Sequence, residues 1–530
     1  MINKSSTLRI LLIIAGVLVL GTMLAYPFGN DQAIFSIGGD MMVNHKAIEY
    51  RDFIDTKPPL IFLIYGAALW VFGHHEWSIR AFDVLFHLVT LLYFYKVLLR
   101  TLGNKTTAFT TVLLYILCVV TRGFWDTSQA ETFALLPSII LYDLLDRGIT
   151  SAKPWLIGIA CGLLGIALVL MKFTFIGVSI GALAYLAIAH PIDTKRRINL
   201  IASTICGLLL GALIVLFFFY TTGALDNFVK TLGWLRGYAE VDPLFSMDTV
   251  REIAFKKFPA AFILFFGPTT ILLAVAGIIA VGKSKDSRVQ GNILHLLLQC
   301  FVGVAIIVYE RKLFPYHFSR TLWCILPFVA IGLHYMWDQV LESIREWKII
   351  PNVQRYVRLI FLGLIILVLL FFSPLSRIVT HPLKWVYAQT AHGDLESYMG
   401  TELYFYNDSH AVSDWLREKL KPADRIFLWG NTVGMYFLLE QHPLSLCISN
   451  APFVDLWTPP QWKTSIMDSL NNVMPRFFIV EFGDQSPQIA GNNFDSWQNL
   501  QRWPEMKKYL ETAYTQSIMI GHFRIFERNS

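Results

Sequence analysis

The chain has 530 residues, 55% of them hydrophobic and only 15% charged, with a mean hydropathy of +0.51. That balance is too apolar for a soluble protein of several domains and leaves a multi-span membrane protein. The net charge of +6 comes mostly from Lys and Arg at span ends, so it gives no argument for nucleic acid as a partner.

In chain order, apolar runs near the roughly 20 residues needed to cross a bilayer begin at 10–28. They recur at 77–99, 106–121, 131–146, 154–171, 174–190, 198–220, 259–282, 292–309, 319–336 and 357–374. About eleven transmembrane helices are therefore predicted, an odd number that puts the two chain ends on opposite sides. Tyr26-Pro27-Phe28 makes a poor small-residue cleavage site, so the first run is expected to be a retained signal-anchor. Orientation follows from the connections that hold Lys4 and Arg9; Lys96, Arg100 and Lys105; Arg147 and Lys153; Lys195, Arg196 and Arg197; and Lys283, Lys285 and Arg288. These alternate along the chain as cytoplasmic loops do, and Arg345, Lys348, Arg355 and Arg358 fall on the same side. The loops at 29–76, 121–131, 172–173, 221–258 and 310–318, and everything after about 375, are then external.

Two domains are predicted: a polytopic α-helical membrane domain over 1–394, and an external α/β domain over 395–530. Within the first external loop, 60–72 is apolar but too short to span, and fits a helix lying at the membrane surface. In the C-terminal part, polar helical stretches at 410–420, 460–471 and 496–512 alternate with strand-like runs at 425–429, 444–448, 476–480 and 516–526. Five cysteines lie in apolar spans without CxxC spacing and Cys447 is alone, so neither a disulfide framework nor a zinc site is implied.

The first external loop carries the strongest chemical signals. Asp31 directly follows a hydrophobic span. A carboxylate there can take a proton from an acceptor arriving from water while a lipid-borne donor arrives from the bilayer; position alone equally allows a helix cap or a solvated acid. Asp55-Thr56-Lys57-Pro58-Pro59 has the same two sides. The prolines are a helix-start signal, and Lys57 at headgroup depth can neutralise a phosphate.

The string from Asn30 through Pro59, an acid after the first span followed by Tyr50-Arg51-Asp52 and Asp55-x-Lys57-Pro58-Pro59-Leu60, resembles the first external loop of GT-C glycosyltransferases. The similarity is to the protein O-mannosyltransferase and lipid A aminoarabinose transferase type, glycosyltransferase family 39 and its relatives. The resemblance implies a GT-C fold and a polyprenyl-phosphate-linked sugar donor of the undecaprenyl or dolichyl type. It implies a glycolipid, polysaccharide or protein acceptor, and a site facing the periplasm from a bacterial inner membrane. It makes Asp31 the catalytic base and puts Asp55 and Lys57 at the donor. Gln32 stands where many members have Glu, which removes a second carboxylate beside the base.

Fainter similarity touches Glu131 and Asp126, as a second acidic position that orients the acceptor or a metal; an acid favouring the helix dipole is the plain alternative. Lys172, Arg311, Tyr316 and His317 match a phosphate pocket, with interfacial snorkelling of Arg311 and Lys312 as its alternative. A divalent metal ion near Asp31 and Glu131 is the one cofactor implied. Gly430, between a predicted strand and helix, suits an anion nest or, more simply, a packed turn. The rival functions are a secondary transporter or lipid flippase, a membrane-anchored assembly protein, and a lipid-using transferase with a different nucleophile. The acids and lysines cluster at span ends, against the first, and His410, His442 and His522 form no triad pattern, against the last.

Overall fold

The computed structural model describes residues 16–120, 122–188, 192–240, 253–283, 287–346, 405–455 and 457–529, with the single residues 10, 14, 356, 360 and 363. The predicted span at 357–374 and the basic residues Lys4, Arg9, Lys285, Lys348, Arg355 and Arg358 lie outside the described residues.

The helices follow the apolar runs. They are α1 (Asn30–Val43), α2 (Leu60–Phe72), α3 (Glu76–Leu102), α4 (Lys105–Val120), α5 (Ala130–Gly148), α6 (Pro154–Val169), α7 (Ile176–Ile188), α8 (Thr194–Thr221) and α9 (Leu225–Glu240). Then come α10 (Phe258–Phe266), α11 (Pro268–Gly282), α12 (Ser287–Glu310) and α13 (Leu322–Glu346). Among the described residues, four helices are by themselves long and apolar enough to cross a membrane. The run at 259–282, expected as one span, is instead two helices meeting at 94°. The break has a local cause: Gly267 takes a positive φ of 76° and Pro268, with no N–H to donate, starts the next helix.

The chain divides into two compact units. The first comprises Met1–Tyr26, Arg80–Leu213 and Val250–Leu383. Its helices approach closely through small residues, as expected where lipid offers no hydrophobic drive for association. A methyl group on Gly277 would strike the Phe328 carbonyl, and one on Gly332 the Leu273 carbonyl, so α11 and α13 touch backbone to backbone. At the C-terminal end of α5, buried Asp143 accepts from the Tyr93 hydroxyl at 2.7 Å and pairs with Arg100 and, at 2.6 Å, Arg147. That places an ion network at the end predicted to be cytoplasmic.

The second unit comprises Pro27–Ile79, Ile214–Thr249 and Lys384–Ser530. Here α1 packs on α2 at Gly39 and Gly66, where a Cβ on either would collide with the other's backbone. The C-terminal part holds α14 (Tyr406–Lys419), β1 (Ile426–Trp429), α15 (Pro460–Val473), β2 (Phe477–Glu481), α16 (Ser496–Gln501), α17 (Pro504–Ala513), β3 (Tyr514–Ile520) and β4 (Phe523–Arg528). The sheet order is β1-β2-β4-β3, with β1 parallel to β2 and the other pairs antiparallel. The single run expected at 516–526 is a hairpin turning at Gly521, whose φ is 51°. The strand expected at 444–448 does not form; Cys447 makes only an isolated bridge with Ile54, whose N–H donates to the Leu446 carbonyl at 2.7 Å. The core around Trp429, Trp462 and Phe478 takes in Ile54 from the segment between α1 and α2 and Trp234 from α9. Segments distant in sequence, from loops predicted to be external, thus contribute to the core of the C-terminal domain.

Candidate active site

In the second unit, Asp31 sits partly buried in the first turn of α1. Beside it, Gln32 Oε1 accepts from the Gly29 N–H at 3.0 Å. Gln32 is thus buried at the helix entry.

The chain then turns through Lys46 and Tyr50, both at positive φ (57° and 67°). For a tyrosine this backbone is strained. It is held by the Tyr50 N–H donating to the Phe53 carbonyl at 2.7 Å and by the ring packing 5.3 Å from Phe219 and 5.2 Å from Phe228. The anchored turn delivers Asp55, whose Oδ1 accepts from the Lys57 N–H at 3.0 Å and from the Thr56 hydroxyl at 3.3 Å. Burial pushes the Asp55 carboxyl upward, the Lys57 charge pulls it back, and the Asp31 carboxylate pushes it up again; the net shift is upward. Asp55 therefore lies within electrostatic reach of both Lys57 and Asp31. Glu49, buried behind them, is held well above the usual carboxylate range by burial and by the Asp55 charge. Pro58-Pro59 lead into α2, where the Leu63 N–H donates to the Pro59 carbonyl at 3.1 Å.

The first unit holds a second charged group. Buried Glu131, in the first turn of α5, receives Lys172 Nζ at 2.7 Å and Arg320 Nη2 at 2.8 Å on the same oxygen, Oε1. Both cations also reach Glu310, Lys172 at 3.3 Å and Arg320 at 2.9 Å. His317 Nδ1 is 3.0 Å from Glu310 Oε2, and Lys172 Nζ is 5.7 Å from the Tyr316 ring centre. Glu131 Oε2 is buried with no hydrogen-bond partner among the described residues. A cleft of about 390 Å³ opens beside Glu131 and Arg320, lined also by Ser138, Thr174, Gln299 and Trp323.

Glu131, Lys172, Tyr316 and His317, expected from sequence, thus meet in one place. Glu310 and Arg320 were not expected there. Glu310 is hidden by its basic neighbours Arg311 and Lys312, and Arg320 by the apolar span it opens. Arg311 lies in a left-handed turn with φ 62°, one residue after Glu310. Asp126, buried to 9% exposure, lies in the turn before α5. Arg80 fixes that turn, donating to Ser128 Oγ and Thr127 Oγ1 at 2.9 Å and to the Phe124 carbonyl at 3.0 Å.

Two sets of side chains have the geometry to hold a metal ion: Glu131, Glu310 and His317 in the first unit, and Asp40, His45 and His442 in the second. In the first set the two carboxylates are already matched by Lys172 and Arg320, which disfavours a further divalent charge.

Residues 56–222 match the family model described as dolichyl-phosphate-mannose-protein mannosyltransferase. The chain is similar to crystal structures of ArnT from Cupriavidus metallidurans. The form bound to undecaprenyl phosphate superposes with a TM-score of 0.58 at 14% identity, covering 98% of this chain and 97% of that one. The apo form gives 0.54 at 13% identity, covering 99% and 98%. No protein of curated function matches the sequence significantly. The chain has the GT-C fold, with a small C-terminal sheet domain. Fold and family match together support a membrane glycosyltransferase of the GT-C superfamily.

Proposed function

We propose that this protein is an inverting glycosyltransferase that moves a sugar from a polyprenyl-phosphate carrier to a lipid, glycan or protein acceptor on the extracytoplasmic face, in a bacterial inner membrane. The observation that carries this reading is the placement of Asp55, whose Oδ1 accepts from the Lys57 N–H at 3.0 Å and whose carboxyl feels the charges of both Lys57 and Asp31. The family match names a dolichyl-phosphate sugar enzyme, and the ArnT structure it resembles holds undecaprenyl phosphate; both support this donor class.

In the reaction, Asp31 takes the acceptor proton as the acceptor oxygen or nitrogen attacks the anomeric carbon. The bond from that carbon to the phosphate oxygen breaks with its electron pair going to the carrier phosphate. Polyprenyl phosphate is already a competent leaving group, so cations for the developing charge matter more than a general acid. Lys57 supplies one, and Lys172, Arg311, Tyr316 and His317 are proposed as further phosphate contacts. Glu131 and Asp126 are proposed to orient the acceptor; the unpartnered Glu131 Oε2 suits that role.

The test is transfer by purified protein from a polyprenyl-phosphate sugar. Asp31→Asn keeps size and hydrogen bonding but loses basicity, so turnover should fall by roughly 10² to 10⁴ with little change in donor binding. Lys57→Ala should weaken donor binding as well as slow the reaction, because the phosphate charge exists in the ground state and grows in the transition state. A near wild-type rate for Asp31→Asn would refute Asp31 as base. A transporter or flippase would show no such division between the two variants.

A further inference from the structure

Three metal-ligating side chains of the second unit meet at a place the proposed transfer reaction does not use. Asp40 lies in the last turn of α1, His45 in the loop just beyond it, and His442 in the connection between β1 and α15. His442 Nε2 is 2.8 Å from Asp40 Oδ2, and His45 Nε2 is 3.5 Å from the same oxygen. The two imidazoles meet edge to face with centroids 4.4 Å apart. All three ligand atoms lie within 4.8 Å of one another.

A tetrahedral ion bound at about 2.0–2.2 Å by His nitrogen and carboxylate oxygen holds its ligand atoms roughly 3.4 Å apart. The Asp40–His45 spacing already fits, and the Asp40–His442 pair at 2.8 Å must open by about 0.6 Å. The other Asp40 oxygen, Oδ1, accepts from Asn44 Nδ2 at 2.7 Å, which orients the carboxylate and leaves Oδ2 for an ion, as outer contacts do in metal sites. The His45 side chain is 57% exposed, against 24% for His442 and 14% for Asp40, so the site is open to ions from water and has room for a water as fourth ligand. Two imidazoles and one carboxylate suit zinc and its transition-metal neighbours, while calcium and magnesium prefer all-oxygen shells. Asp40 is nine residues from Asp31 on the same helix, about 13 Å along its axis, so the site is separate from the proposed base.

We infer that Asp40, His45 and His442 form a divalent transition-metal site of the zinc class. The ion would tie the end of α1 to a segment 402 residues away in sequence, adding to stability by binding only the folded chain.

The test is titration of detergent-purified full-length protein with Zn²⁺, using Co²⁺ as a spectroscopic probe of nitrogen ligation. The wild type should bind Zn²⁺ with a rise in melting temperature. His45→Ala, at an exposed position, and His442→Ala should each weaken binding by about a hundredfold or more. His522→Ala, which removes a histidine paired with Asp408 at 2.7 Å, should bind as the wild type does. The inference is overturned if the wild type binds no Zn²⁺, if His45→Ala binds as tightly as the wild type, or if binding is lost in His317→Ala but kept in His45→Ala.

Discussion

Arg320 lies three residues beyond His317, at the start of a span whose apolar character conceals it in the sequence. Its guanidinium contacts Glu131 and Glu310, 189 and 10 residues away, and a pairing across 189 residues leaves no local signal. Removing one partner of a buried ion network leaves an uncompensated charge, a cost of about 3–5 kcal/mol. Arg320→Met should therefore lower the thermal stability of the solubilised protein markedly. The double variant Arg320→Met with Glu310→Gln should recover part of the loss, since Lys172 then still matches Glu131. Melting curves of the two single variants and the double variant measure this, and strictly additive losses would show that Arg320 and Glu310 are not coupled.

The turn after β1 shows what an element does with a motif the sequence leaves open. Gly430 suits an anion nest, and the nest is filled from within: the Asn431 and Thr432 N–H groups donate to Glu481 Oε2 at 2.6 and 2.8 Å. What fills it is the protein's own carboxyl group at the end of β2. Burial, with the Asp484 charge adding to it, pushes the Glu481 carboxyl up to about 8, against the pull of its Thr432 and Asn431 donors. A raised folded-state value means the folded chain binds more protons than the unfolded chain. This contribution to stability is therefore full below the unfolded value of 4.5 and is lost as pH rises through about 8. Thermal melts between pH 5 and pH 8 should show the wild type losing stability, by an amount on the order of a few kcal/mol, relative to Glu481→Gln. Parallel pH profiles for the two would contradict it. The same element scale explains why 444–448 is not a strand: its apolar residues fill the core around Trp429 and Trp462, and its backbone bridges Ile54.

At the scale of the whole molecule, orientation rests on Lys and Arg at span ends. Single cysteines in a background free of the six native ones test it. Lys46 and Lys421 are exposed in the second unit, and Lys195 is exposed in the first. An impermeant thiol reagent applied to intact cells should label Lys46→Cys and Lys421→Cys but reach Lys195→Cys only after lysis. The reverse pattern would invert the proposed topology, and with it the side on which Asp31 meets its acceptor.

The sequence by itself determined the helices, because each apolar run must satisfy its own backbone hydrogen bonds, and a helix does so using nothing beyond local residues. It also singled out Asp31, Asp55 and Lys57, which lie within one stretch of 27 residues. Only the tertiary structure decided the partners. Glu310 and Arg320 joining Glu131 and Lys172, His442 meeting Asp40, and Ile54 and Trp234 entering the core of the C-terminal domain all depend on contacts between distant segments. The break at Gly267 lies between these cases: Gly-Pro marks it in the sequence, but hydropathy averages across it. Charge pairs and core contacts between distant segments carry no period and no spacing, so packing alone reveals them.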